Sequence, residues 1–260
     1  MSRKNVFASL LFLKPLCILA GLLLSTNAAA WTLDYYVVQD QAEPLQIQDN
    51  GKQHRGIVTD ILYKALEGTT HELRIHTYPF NRMIVEMTQN QDTNWVSYGS
   101  PLWGDMQAAN LSSQPLFEVE HSIVSNAKNV LPYHSPNDLD GKIAVLLFGF
   151  NYPGLDTKID KGEVSEVRVK NHAAAFRVVD RLKDTGFFVE MDIRIKYHLK
   201  RLGFTNKDYT LQTMNNLIPN YNIHLAYAPG IDPAISNFLD MRLKQMAQNN
   251  EIKPIIDSYL

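Results

Sequence analysis

The sequence is nearly without cysteine, since Cys17 is the only one among 260 residues. An intrachain disulfide is therefore excluded. An excess of charge of one sign is also missing, because 25 basic and 27 acidic side chains leave a formal charge of −2. Nothing in this balance indicates a surface for nucleic acid.

Long hydrophobic runs are scarce as well. The apolar run at residues 16–24 is shorter than the roughly 18 to 20 residues that span a bilayer, and no later run is long enough. Arg3 and Lys4 stand before this run, and residues 27–30 (NAAA) follow it. This arrangement is typical of a secretory signal, so we predict a signal peptide over residues 1–30 and a periplasmic product. An uncleaved membrane anchor is the alternative.

Cys17 raises a second alternative, a lipoprotein acylated on this cysteine. The residues before it, Lys14, Pro15 and Leu16, are not the small residues that a lipoprotein signal has there, so a soluble product is favoured. Loss of residues 1–30 removes three basic side chains and no acidic one, which makes the mature chain more acidic. The remaining length suits one large domain or two lobes.

Strand patterns alternate with helix patterns in the first half of the mature chain. Aromatic and β-branched residues predict a strand at 31–38, and alternating patterns predict others at 73–77 and 95–98. A helix is expected after Gly56, with Thr59 or Asp60 as its cap, and another opens at residues 79–82. This order indicates an α/β lobe with a mostly parallel sheet.

The pattern restarts at residues 142–147 (KIAVLL), an apolar run typical of a buried parallel strand. Further strands are predicted at 120–125, 167–169, 187–189 and 223–227, and helices at 173–182, 234–248 and 252–260. Asp232 and Pro233 form a strong helix start. We therefore expect two lobes, the first from residues 31–122 and 226–260 and the second from residues 123–225, with the closing helix on the first lobe.

Three segments resemble a known family in their order along the chain. They are residues 56–62 (GIVTDIL), residues 79–82 (PFNR) and residues 138–145 (DLDGKIAV), the last followed by residues 149–154 (GFNYPG). The chain resembles the periplasmic solute-binding proteins of ABC importers, in the polar-amino-acid-type branch. The resemblance implies a type II periplasmic binding fold, a ligand in the interlobe cleft and closure by hinge motion. It also implies two crossings between the lobes, near residues 121–126 and 223–227.

One departure from that family bears on the ligand. Its members carry a Thr-x-x-Arg segment after the third strand, whose arginine clamps an amino-acid carboxylate, whereas residues 99–106 (GSPLWGDM) hold no arginine. The sequence therefore argues against a standard α-amino acid. Arg82 is our candidate for a replacement clamp, because a guanidinium matches a carboxylate in two hydrogen bonds. An exposed arginine at a helix start is the alternative.

Aromatic residues near strand ends are further candidates for ligand binding. Tyr36, Tyr98 and Trp103 offer ring faces to an apolar, sugar-like or cationic ligand. Core packing is the alternative for each, and it is the interpretation that we favour for Trp95, which lies within its strand.

The turn after the strand at 142–147 contributes another set of candidates. Gly149 exposes backbone N–H groups, and Asn151 and Tyr152 add side-chain donors, although an ordinary turn explains them equally well. Glu190 follows the strand at 187–189, where a carboxylate can bind a ligand amine. A solvated acid at a helix cap is the alternative for Glu190.

The leading hypothesis is a non-catalytic, monomeric receptor for a small polar solute, which it delivers to an inner-membrane permease. An orphan sensor or interaction module with an altered site is the second. The third is a periplasmic dehydratase-type enzyme with Glu190 and His172 as acid and base. No cofactor, metal or nucleic acid is expected, since His71 and His76 lack partners at zinc-type spacing.

Overall fold

The computed structural model describes residues 30–48 and 54–260. The predicted signal peptide, except for Ala30, and the polar turn at residues 49–53 lie outside the described residues. The strands are β1 (Thr32–Val38), β2 (Glu72–Tyr78), β3 (Trp95–Gly99), β4 (Phe117–Val119), β5 (His121–Asn126), β6 (Ile143–Leu147), β7 (Ser165–Val169), β8 (Gly186–Met191), β9 (Tyr209–Thr213) and β10 (Tyr221–Tyr227). The helices are α1 (Ile57–Leu66), α2 (Phe80–Gln89), α3 (Met106–Ala109), α4 (Leu155–Asp160), α5 (His172–Leu182), α6 (Asp192–Leu202), α7 (Pro233–Gln248) and α8 (Ile252–Asp257). Every strand and helix predicted from periodicity is confirmed.

Two five-stranded sheets divide the described chain into two lobes. The first has the order β2-β1-β3-β10-β4, and the second has the order β7-β6-β8-β5-β9. In each, four strands run in one direction and the fourth in the order, β10 or β5, runs against its neighbours. The expected mostly parallel sheets are therefore confirmed, and the two lobes repeat one topology.

The chain crosses between the sheets twice. It leaves the first sheet at Glu120, between β4 and β5, and returns through residues 214–220, between β9 and β10. The backbone of Glu120 also accepts a hydrogen bond of 2.9 Å from the N–H of Asp192, where α6 begins. The expected lobe boundary between residues 225 and 226 falls inside β10, and all seven residues of β10 pair with strands of the first sheet.

The cap predicted for α1 is wrong. The helix begins at Ile57, with Gly56 before it, so Thr59 and Asp60 lie inside its first turn. Gly56 has a φ of 118°, and a Cβ there would lie 2.6 Å from the carbonyl oxygen of Leu45. Only glycine tolerates both conditions, so this residue lets the chain turn into the helix. The cap predicted for α7 is confirmed, since the Asp232 carboxylate accepts a hydrogen bond from the N–H of Ala234.

Each lobe has its own hydrophobic core. The first core joins β1, β3 and β10 to α1, α7 and α8, and α8 contributes Ile252, Ile255 and Ile256. The expectation that the closing helix packs on the first lobe is therefore confirmed. The second sheet has one core on each face, around Phe187 and around Phe188, because successive strand residues point to opposite faces. In the described part of the chain, no helix has the length and apolar character needed to cross a membrane.

Candidate functional site

A cleft of about 200 Å³ lies between the lobes, where strands of both sheets end. The first lobe contributes the start of α2, the end of β3 and the segment up to α3, while the second lobe contributes the turn after β6. The lining residues are Phe80, Ile84, Tyr98, Leu102, Trp103, Gly104, Asp105 and Gln107 from the first lobe, and Gly149, Phe150, Asn151 and Pro153 from the second. Clefts at the ends of strands in such α/β lobes are the usual place for ligands.

Aromatic side chains form the walls of this cleft. The rings of Phe80 and Phe150 face each other from opposite lobes, with centroids 5.6 Å apart and planes 30° apart. Tyr98 and Trp103 meet edge to face at 5.5 Å in the first lobe. Trp103 also donates its indole N–H to the hydroxyl of Tyr221, at 3.3 Å. These contacts hold the rings in fixed orientations around an apolar space.

The polar groups of the cleft are few, and none of the lining side chains is basic. Gln107 is buried, and its amide nitrogen donates to the carbonyl oxygen of Tyr98 at 2.9 Å, so this hydrogen bond links α3 to the end of β3. Asp105 and Asn151 are exposed and are the other polar side chains of the lining, apart from those of the aromatic residues. Burial raises the pKa of Tyr98 to about 12, so its hydroxyl stays protonated and can donate.

A buried ionic cluster lies behind Phe150 at the junction of the lobes. Glu190, at the end of β8, is 3% exposed, and its carboxylate lies 3.2 Å from Arg194 and 3.1 Å from the Nε2 of His172. It also accepts a hydrogen bond of 2.8 Å from the N–H of Met191. The ring of His198 stacks on that of His172 at 3.6 Å. The carboxylate therefore has three partners in its own lobe.

Arg194 extends from this cluster into the first lobe. Its guanidinium donates to the carbonyl oxygens of Gln41 and Glu43, in the loop after β1, the second at 3.3 Å. The same group lies 5.1 Å from the centre of the Phe150 ring, within the range of a cation–π contact. Near the surface Arg201 forms a second bridge between the lobes by pairing with the carboxylate of Glu43.

The charges in the cluster set its protonation. Burial alone would raise the pKa of Glu190, but Arg194, His172 and the N–H of Met191 outweigh burial and lower that pKa to about 2. Burial lowers the pKa of His172, and burial together with neighbouring positive charge lowers that of His198 to about 2. The cluster is thus one carboxylate and one guanidinium with neutral imidazoles around them.

A third histidine, His121, lies at the start of β5 beside the ring of Tyr221, at 5.6 Å. Burial lowers its pKa to about 4. Among the described residues, neither the Nδ1 of His121 nor the Nε2 of His198 has a hydrogen-bond partner. Both rings therefore occupy the lobe junction as neutral groups that protonation would disturb.

Four of the eight predicted ligand residues line the cleft together: Tyr98, Trp103, Gly149 and Asn151. The two facing rings, Phe80 and Phe150, were missed, although both lie in segments that carry the family resemblance. Their signal is their position just after β2 and β6, since side chains that follow parallel strands converge at one edge of a sheet. The ligand roles of the predicted residues stay predictions.

The other four predicted residues lie outside the cleft lining. Tyr36 is 5% exposed and stacks on Trp95 within the first core, and Tyr152 is buried, with its hydroxyl accepting the N–H of Leu147 at 3.0 Å. Arg82 is exposed and pairs with Glu86 one turn along α2, and Glu190 is engaged in the ionic cluster. In the described ranges, 30–48 and 54–260, no group of three or more His, Cys, Asp or Glu side chains is placed to hold a metal ion.

Comparison with known proteins adds a fold assignment. No protein-family model matches the sequence, and no curated protein does. Solved structures do match in shape. The substrate-binding protein of an amino acid ABC transporter superposes with a TM-score of 0.65 at 16% identity, covering 88% of this chain and 99% of that one. The chain has the type II periplasmic binding fold.

Two further solved structures share this fold. The GluR0 ligand-binding core in complex with L-glutamate has a TM-score of 0.68 at 12% identity, and the match covers 90% of this chain and 99% of that one. The ancestral amino acid-binding protein AncCDT-1, a precursor of cyclohexadienyl dehydratase, has a TM-score of 0.65 at 15% identity, covering 88% and 94%. At these identities the shared property is the fold.

Proposed function

We propose that this protein is a non-catalytic periplasmic receptor that closes its two lobes over a small solute and delivers it to an inner-membrane permease. The observation that carries the proposal is the cleft, because its facing walls, with Phe80 on one side and Phe150 on the other, come from different lobes. A solute between them contacts both lobes and stabilises the closed form. The likeness to an importer's substrate-binding protein supports this role.

The residues that line the cleft restrict the charge of the solutes that can bind there. An anionic solute would be buried beside aromatic rings without a basic partner, and an unpaired buried charge is costly. A neutral or cationic solute with an apolar part suits the rings, and Asp105 and Asn151 can bind its polar end. We therefore expect uncharged or amine-bearing compounds, rather than carboxylates, to bind.

Thermal unfolding of residues 31–260 against a library of amines, amino acids, organic acids and short oligosaccharides tests this proposal. A ligand at a hundred times its dissociation constant stabilises the folded state by about 2.7 kcal/mol, which appears as a raised midpoint. Phe150→Ala removes one wall and should abolish the shift. Phe148→Ala is the matched control, because Phe148 is 51% exposed in the same turn and does not line the cleft.

The outcomes separate the proposal from its alternatives. Binding that Phe148→Ala keeps and Phe150→Ala loses supports a receptor that uses this cleft. Absence of binding across the library favours an interaction module with an altered site. An enzyme would convert a bound ligand, so recovery of that ligand unchanged after long incubation argues against a dehydratase. Catalysis by Glu190 and His172 is disfavoured because both are buried and bound to each other.

A further inference from the structure

Resting on the proposed receptor function, we propose that Arg194 is an internal ligand. Its guanidinium fills a cation subsite that both lobes build behind Phe150, so the subsite is closed to solutes that carry their own guanidinium or ammonium group. Arg194 is thereby a specificity-determining residue of the receptor.

The surroundings of the guanidinium have the composition of a binding site for a cation. A buried carboxylate, Glu190, supplies the counter-charge at 3.2 Å, and the carbonyl oxygens of Gln41 and Glu43 in the first lobe accept hydrogen bonds from the guanidinium. The ring of Phe150 covers one face at 5.1 Å. Charge, planar hydrogen bonding and an aromatic face together are what a guanidinium-bearing solute requires.

The components of the subsite come from different lobes, as they do for any solute that closes a two-lobed receptor. Glu190 and Phe150 belong to the second lobe, and the loop with Gln41 and Glu43 belongs to the first. Arg194 is attached to the second lobe, so its contacts with the first lobe form at a high effective concentration and need no solute. The guanidinium therefore favours closure of the ligand-free protein.

The remaining cleft differs in character from the filled subsite. Phe150 contacts both, with the Arg194 guanidinium 5.1 Å and the ring of Phe80 5.6 Å from the centre of its ring, and neither Arg194 nor Glu190 lines the cleft. A solute in the cleft meets aromatic walls and does not reach Glu190, which is 3% exposed. Free arginine, agmatine and similar cations are therefore excluded from the position that would suit them.

The experiment removes the Arg194 guanidinium from the subsite and adds a small guanidinium compound that can bind in its place. Arg194→Ala should make the ligand-free protein less compact in small-angle scattering, and methylguanidinium at millimolar concentration should bind it and restore compactness. The wild type should not bind methylguanidinium in calorimetry at the same concentration, a difference of at least tenfold in affinity. Arg201→Ala removes the bridge to Glu43 and is the matched control: the Arg201 side chain is 55% exposed, an exposed ion pair contributes little, and this variant should stay close to the wild type in compactness and in methylguanidinium binding.

A second pair of variants keeps the test decisive if Arg194→Ala folds poorly. Arg194→Gln retains bulk without charge and should be less compact than the wild type. The double variant Glu190→Gln/Arg194→Ala lacks the counter-charge and should not bind methylguanidinium. Equal binding by the double and single variants, or ligand-free Arg194→Ala and Arg194→Gln as compact as the wild type, would overturn the inference.

The outcome is distinguishable from failure of the receptor proposal. Methylguanidinium rescue of Arg194→Ala, together with no wild-type solute from the library, rejects the receptor function and retains the internal ligand. Solute binding that depends on Phe150, together with no rescue, retains the receptor and rejects the internal ligand.

Discussion

The two lobes share one strand order but bury different kinds of polar groups. Among the described residues, the buried polar side chains of the first lobe are all neutral: Gln46, Thr59, Ser97, Ser100, Gln107 and Ser112. The buried charged and imidazole groups all belong to the second lobe: His121, Lys158, His172, Glu190, Arg194 and His198. One topology therefore folds with or without buried charge. The ionic cluster is an addition to the fold, placed where the second lobe meets the first.

The sharpest way to test this comparison is to remove the central charge of the second lobe. Glu190→Gln keeps the shape of the side chain but leaves Arg194 buried without a counter-charge. Breaking a buried ion pair from one side costs about 3 to 5 kcal/mol of the free energy of unfolding. Urea unfolding of residues 31–260 measures this loss. A loss below about 1 kcal/mol would mean that the lobe tolerates the unpaired guanidinium. The buried charge that distinguishes the two lobes would then contribute little to stability.

Lowering the pH should destabilise the second lobe through its buried histidines, by less than the loss of the central charge does. The pKa values of His121 and His198 are lowered to about 4 and about 2, so both rings stay neutral in the folded protein. The unfolded chain takes up protons near pH 6.5, so stability is full above that pH and is lost as pH falls toward the folded values. We expect a loss of about 2 kcal/mol between pH 7 and pH 5.5.

Thermal midpoints across that pH range check the prediction, and His121→Phe should reduce the dependence, with the remainder due to His198 and His172, whose pKa values are also lowered by burial. Glu190 has a lowered pKa, so its contribution is lost only below its ordinary value and is constant in this range. A midpoint that does not change between pH 7 and pH 5.5 would show that the buried rings do not resist protonation.

The neutral network of the first lobe should give a loss that does not depend on pH. Gln46 donates to the hydroxyl of Tyr35 and the carbonyl oxygen of Tyr36, both at 2.9 Å, and accepts the N–H of Val38. Gln46→Ala removes the partner of the buried Val38 N–H, at a cost of about 1 to 3 kcal/mol, while the Tyr35 hydroxyl keeps Thr59 and the Tyr36 carbonyl oxygen keeps Ser97. Urea unfolding at pH 7 and pH 5.5 should give the same difference from the wild type. A difference that changes with pH would place titrating groups in the first lobe as well.

The fold could be predicted from the sequence because its strands and helices follow from local patterns of apolar and polar residues. The apolar run that became β6, the alternation that became β2 and the Asp232–Pro233 start of α7 each depend on a few neighbouring residues. The cap of α1 was missed because Gly56 is required there by its contact with Leu45, eleven positions earlier in the chain, and propensity does not report such contacts.

The site was predicted only where it follows from strand ends. Tyr98 and Asn151 were found in this way. Arg82 was chosen for its chemistry, but its partner is Glu86 on the same helix, and a helical repeat of four residues makes that pairing favourable without a ligand. Arg194 was missed altogether, because its role depends on carbonyl groups some 150 positions away in the other lobe.

Removal of a helix cap should have the smallest effect on the free energy of unfolding. Unlike removal of a buried polar group, it should cost the same in both lobes. Asn171 caps α5 in the second lobe by accepting the N–H of Ala174, and Asp232 caps α7 in the first by accepting the N–H of Ala234. Replacing either by alanine should cost about 1 kcal/mol, measured by urea unfolding. Equal losses place the difference between the lobes in their buried charge, whereas a much larger loss for Asn171→Ala would mean that the second lobe is weaker throughout.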